Sequence, residues 1–215
     1  MPHDKGSALF KLRFSENDIQ RWADQYSYTA NDGRLRDEVR PTVLTRGWLT
    51  KEEFLEICEW KTQRSKSRCA RNDEFTIHTV SRAAFATSDE SLKIDLLRTL
   101  EGVEWPTAST LLHFCDERPY PILDYRALWS LGHAKAPHYT MDFWLEYLAY
   151  TRALAKRLKH DIRTIDRALW EYSKARQRSG SQTAQQPSPS TVADHAPMAY
   201  TEACDSSRRR CSRRQ

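Results

Sequence analysis

Apolar residues recur at intervals of three and four through nearly all of the first 177 residues, and no stretch of Val, Ile or Thr alternates with polar neighbours as a half-buried strand does. A chain with that pattern buries its apolar surface by packing helix on helix, so the expected fold is all-α, a bundle of eight or nine helices. The whole chain has only 6 glycines. Ser15 with Asp18, and Thr50 with Glu53, have capping-box spacing, which puts helix starts near residues 16 and 51. Residues 34–46 are helical in part, with Pro41 in a first turn or at a break. Asn72 or Asp73 caps a helix to about Ala84, and Ser88 caps the next to about Thr99, with Leu92, Leu96, Leu97 and Leu100 on its apolar face. Met141, Trp144, Leu148, Thr151, Ala155 and Leu158 mark one long helix, and a last helix runs from Asp161 to about Arg176.

The pattern stops at residue 177. Residues 178–215 are rich in Ser, Gln, Pro and Ala and lack the apolar surface that would offset the entropy of ordering them, so the expectation is one helical domain, 1–177, and a disordered tail, 178–215. The tail carries six arginines against three acids, five of the six in its terminal Arg-rich run, leaving a net charge of only +2 on the helical part out of +5 for the chain. A near-neutral domain gives no strong electrostatic signal for nucleic acid, and the terminal arginines suit non-specific phosphate contact or none. No apolar run is long enough to span a membrane. The first ten residues hold no apolar signal core, so the expected compartment is the cytoplasm, where disulfides are rare. The five cysteines form no C-x-x-C pair, which argues against a metal site; Cys58 and Cys115 read as small buried residues, and Cys204 and Cys211 as free thiols.

The most informative stretch is 92–131, LKIDLLRTLEGVEWPTASTLLHFCDERPYPILDYRALWSL. It reads as helix, tight hairpin, helix, loop, helix: Gly102 permits the reversal and Pro106 suits the first turn of the second helix. In such a helix-hairpin-helix, the amides of the hairpin and of the next helix's first turn can converge on a phosphate. The segment resembles the helix-hairpin-helix base-excision DNA glycosylases, whose hairpin reads Leu-Pro-Gly-Val-Gly-x-x-Thr-Ala. Here Leu100-Glu101-Gly102-Val103-Glu104-Trp105-Pro106-Thr107-Ala108 stands in its place, and Pro121-Ile122-Leu123-Asp124 looks like the extended segment that leads to the family's catalytic aspartate.

The resemblance implies a DNA-glycosylase-like fold and a double-stranded DNA partner, approached through the hairpin at Gly102, Val103 and Thr107. It implies hydrolysis of an N-glycosidic bond in base-excision repair with Asp124 as the catalytic carboxylate, and no cofactor or metal. Bifunctional members carry a lysine where this chain has Pro106, so an enzyme of this kind would be monofunctional, without lyase activity through that position. Glu104 replaces the hairpin's second glycine, and Glu101 adds a second negative charge near any phosphate there. Lys61, Arg64 and Arg68, in the basic cluster headed by Trp60, and Arg126 are the candidate phosphate contacts, although such clusters are also ordinary solvated faces. Asp124 also suits a helix cap with no chemistry; His113, Trp129 and Trp170 suit packing. The competing functions are a non-catalytic member of the same fold that binds nucleic acid or protein, and an unrelated helical scaffold.

Overall fold

The computed structural model describes residues 9–183, with side chains described through Gln177. Ten helices and no strand occur among the described residues. They are α1 (Ile19–Ala23), α2 (30–46), α3 (Lys51–Lys61), α4 (Lys66–Cys69), α5 (Glu74–Ala86), α6 (Glu90–Arg98), α7 (Trp105–Cys115), α8 (Tyr125–Ser130), α9 (Met141–Leu158) and α10 (Ile162–Thr183). The last helix continues past the expected boundary near residue 177, so the start of the expected tail is helical; residues 184–215, with Cys204, Cys211 and the Arg-rich run, lie outside the described residues. No helix among the described residues is long and apolar enough to cross a membrane.

Pro41 sits in the first turn of the α-helical segment Arg40–Arg46, as expected. Its ring crowds the carbonyl four residues back and it has no N–H to offer, and α2 passes through by widening to a π turn over Leu35–Val39. Thr50 and Glu53 form the expected reciprocal capping box, whereas Ser15 receives only the Asn17 amide and opens a short 3-10 turn, Glu16–Asp18. Asp73, rather than Asn72, caps α5. Asp89, not Ser88, caps α6, and the helix faces the core with Lys93, Ile94 and Leu97. Leu92 is consequently 50 % exposed. Lys93 is buried because its ammonium meets the equally buried Asp116 carboxylate and the Phe85 carbonyl. Cys58, Cys69 and Cys115 are buried thiols.

Helix α7 runs through the middle of the fold. Nine of its eleven residues are buried, with α3 against one side and α6 against another. Ser109 and Thr110 are tolerated there because both hydroxyls donate to the Pro106 carbonyl. Ser109 Oγ also accepts the Leu123 amide at 2.9 Å, which lays the extended strap 119–124 along α7. Tyr147 of α9 donates to the Ile122 carbonyl at 3.0 Å and fixes the strap from its other side. α8 follows the strap and packs on α10.

The reversal between α6 and α7 is built on Gly102, whose φ is +79°. A Cβ there would stand 2.8 Å from both the amide nitrogen and the sulfur of Cys69, so glycine is required by conformation and by space. Asn72 fastens the same turn: its amide group donates to the Glu101 carbonyl and its oxygen accepts the Glu101 amide, each at 2.9 Å. Hairpin and 66–73 turn therefore form one unit.

Candidate active site

A cleft of about 600 Å³ opens between α3, the end of the 119–124 strap and α10. Tyr26, Trp60 and Trp170 supply aromatic wall, and Lys61, Asp124 and Asp166 are among its charged groups. Cleft volumes of roughly 300–1,000 Å³ suit small-molecule or single-base occupants, which are held mainly by apolar and aromatic contact. Trp170 and Trp129 are thus not the core residues their spacing suggests; both are partly exposed, and the fully buried tryptophan is Trp144.

Asp124 caps α8, as its position before a helical run predicts, with Oδ1 accepting the Arg126 amide at 2.8 Å. That role uses one oxygen. Oδ2 accepts Lys61 Nζ at 2.7 Å, and the side chains are 22 % and 10 % exposed, so the pair sits in the cleft wall with a narrow opening to solvent. Burial pushes the Asp124 carboxyl up, but the Lys61 charge, its hydrogen bond and the Arg126 amide outweigh that and hold it below the usual carboxylate range.

Asp166, on α10, is the opposite case. It is almost fully buried in the same cleft, and among the described residues no lysine or arginine lies within ion-pair distance of it. Both its oxygens face a single donor, the Ile122 amide, at 3.2 Å. Burial lifts its carboxyl to about 8, against partial relief from the Arg163 charge, and the nearby Asp124 charge adds to the rise. Two carboxyls of one cleft are therefore pushed in opposite directions, Asp124 toward the ionised form and Asp166 toward the protonated one. Asp166 has no motif around it; what marks it is burial with only the Ile122 amide bonded to it and His113 beside it, a property of the folded chain.

The remaining candidates scatter. Val103 and Thr107 are each 3 % exposed and turn into the core, so only their main chain faces the hairpin. Among the described residues the amides of Gly102, Glu104, Trp105 and Thr107 have no backbone acceptor, while Glu104, the residue before α7, makes no side-chain capping bond. Glu101 is neutralised by Arg71 at 2.8 Å. The basic cluster is not one face: Lys61 turns into the cleft, Lys66 pairs with Glu59, and Arg64 and Arg68 are exposed. Arg126 reaches Gln177 at 3.1 Å and lies over Tyr125 and Trp170, and so borders the cleft without bonding Asp124 through its side chain. His113 is packed, donating Nδ1–H to the Tyr120 carbonyl at 2.7 Å; burial, then the Arg163 charge, pushes it down to about 3. No group of three His, Cys, Asp or Glu side chains among the described residues could hold a metal ion. Comparison of the chain with protein-family models, with curated proteins and with solved structures finds no match.

Proposed function

We propose that the protein is a DNA-glycosylase-like hydrolase that breaks an N-glycosidic bond to a base turned out of a nucleic-acid strand. The observation that carries this reading is the ionised Asp124 carboxylate in an aromatic-walled cleft, paired with Lys61 and attached to a helix-hairpin-helix. An extruded base fits a cleft of this size, stacked on aromatic side chains such as Trp60 and Trp170. As the C1′–N bond lengthens, its electron pair moves to the base, and a neutral Asp166 has the proton to give it. Positive charge grows on the sugar, the Asp124 carboxylate stabilises it and orients the water that adds to C1′, and the proton which that water loses returns to the Asp166 carboxylate, restoring the starting state. Lys61 Nζ is engaged by that carboxylate and Pro106 stands where bifunctional members carry their lysine, so base release proceeds without strand scission.

The test is a screen of duplex and single-stranded oligonucleotides carrying uracil, alkylated purines, oxidised guanine and mismatches. Base release that leaves an alkali-labile strand, with no complex trapped by borohydride, is the expected result. A trapped complex that disappears in Lys61→Met would make the amine a nucleophile and overturn the monofunctional assignment. Glu104, whose carboxylate stands at the hairpin without a capping bond, favours a second reading, a non-catalytic member of the same fold that holds nucleic acid or protein in the cleft. Absence of base release across the panel, with retained binding of single-stranded oligonucleotide, selects it.

A further inference from the structure

At the far end of α7 from the hairpin, a second cavity of about 340 Å³ adjoins the first through Asp32, Arg163 and Arg167. Five arginines line it, Arg36, Arg40, Arg118, Arg163 and Arg167, against two acids, Asp32 and Asp161. Three of the five already have carboxylate partners. Arg36 bonds Asp37, Arg118 bonds Glu90, and Arg163 bonds Asp32. Arg40 and Arg167 have none within ion-pair distance among the described residues.

Each of those two is held in place by neutral acceptors. Arg40 Nη1 donates to the carbonyls of His113 and Phe114 at 2.9 and 3.1 Å, capping the end of α7. Arg167 donates to the Tyr28 hydroxyl, to Thr164 Oγ1 at 3.0 Å and to the Arg163 carbonyl. Of the two acids in the wall, Asp32 is paired with Arg163 and also accepts from Thr29 and Tyr26, and Asp161 accepts the Thr164 amide. Two guanidinium ions fixed by neutral acceptors, in a concave wall where five arginines outnumber two acids, make an electropositive seat for an anion. Guanidinium presents paired donors at the spacing of two oxygens of a tetrahedral oxyanion.

We infer that this cavity is a phosphate-binding site, with Arg40 and Arg167 as its principal ligands and Arg36 at its rim. The phosphate belongs either to a strand, as a diester, or to a mononucleotide, as a monoester; the cavity's continuity with the aromatic cleft lets one ligand place a base in the first and its phosphate in the second. The site is independent of base release, so a failed glycosylase screen leaves it standing.

Titration of the full chain with inorganic phosphate at constant ionic strength tests it. Saturable binding is expected in wild type, weakened about tenfold or more in Arg167→Gln and by a few-fold in Arg36→Gln, since charge-assisted hydrogen bonds contribute more than neutral ones. Arg36 is exposed, so its variant keeps the assay informative if Arg167→Gln fails to fold. The C-terminal arginines are the same in every variant and cancel in the comparison. Competition then names the source: a 5′-mononucleotide that displaces phosphate where its nucleoside does not identifies a monoester, and a trinucleotide lacking terminal phosphate that does so identifies a diester. Undetectable phosphate binding, affinity unchanged in both variants, or displacement by neither ligand overturns the proposal.

Discussion

The two ends of helix α7 treat negative charge in opposite ways. At its N-terminal end the backbone invites an anion, with a glycine turn and amides free of backbone partners among the described residues, yet the side chain there is the Glu104 carboxylate, Glu101 being paired with Arg71. At its C-terminal end, about 16 Å away by the rise of an eleven-residue helix, the backbone presents carbonyls that repel anions, yet the side chains are arginines. A helix terminus is worth about half a charge and is easily overruled. Side chains decide, and here they move the anion site from the end that the hairpin marks to the end that it does not.

The largest expected effect separates the cleft from both ends. Asp124→Asn keeps the size and the cap of α8 while removing the charge, and base release should fall about a hundredfold or more, the scale of losing an electrostatic contact to a transition state. Phosphate affinity at the arginine end should not change. If both fall together in a folded variant, the two cavities are one site and the comparison fails.

Gly102→Ala attacks the hairpin end alone. With φ at +79° and Cys69 2.8 Å from the new Cβ, the variant should lose about 2 kcal/mol or more in denaturant unfolding. A loss of a few tenths would mean that the turn relaxes and that its anchoring to Cys69 is loose.

Asp166 lies between the ends, 3.5 Å from Nδ1 of the His113 that also lines the arginine cavity. Its carboxyl is raised from about 3.8 to about 8 in the fold, so it binds its proton more tightly when folded. That contribution is full below pH ~4, the ordinary carboxylate range, and is lost as pH rises through about 8. His113, pushed down to about 3, acts the other way: its contribution is present above pH ~6.5 and is lost as pH falls toward 3. Asp166→Asn should therefore gain stability relative to wild type between pH 5 and pH 8, read as the difference in Tm. Base release in wild type should fall on the alkaline side as Asp166 ionises, with an acid limb set by Asp124 below the usual carboxylate range. A flat alkaline limb removes Asp166 from the chemistry.

The smallest effect would sharpen the comparison. Glu104→Gln removes the unbonded carboxylate at the start of α7, and affinity for single-stranded oligonucleotide should rise by about two- to fivefold at low salt, in line with single charges at helix ends. An unchanged affinity would show that nucleic acid does not approach the hairpin.

Local signals made much of this legible. The Thr50–Glu53 box, Gly102, Pro106 and the cap at Asp124 are each decided by a few neighbouring residues, and the sequence pattern finds them. Failures came where distant residues decide. Ser88 and Asp89 are equally good caps in isolation, and Lys93's ion pair with Asp116, 23 residues away, accompanies the register that Asp89 sets. The same holds for the site. Asp124 carries a motif, but Lys61 meets it across 63 residues, and the arginine cavity gathers α2, the strap and α10. No window of sequence contains those encounters.

The contact between Gly102 and Cys69 also makes the hairpin measurable. The Cys69 sulfur lies under the turn, and a hydrogen bond from Cys58, against the opposing effect of burial, draws its thiol down to about 6. A lowered pKa favours the thiolate, the form that an alkylating reagent attacks. The reagent reaches it only when the turn lifts, so the labelling rate of Cys69 is a clock for hairpin opening, and a ligand that seats on the hairpin should slow it without touching the sulfur.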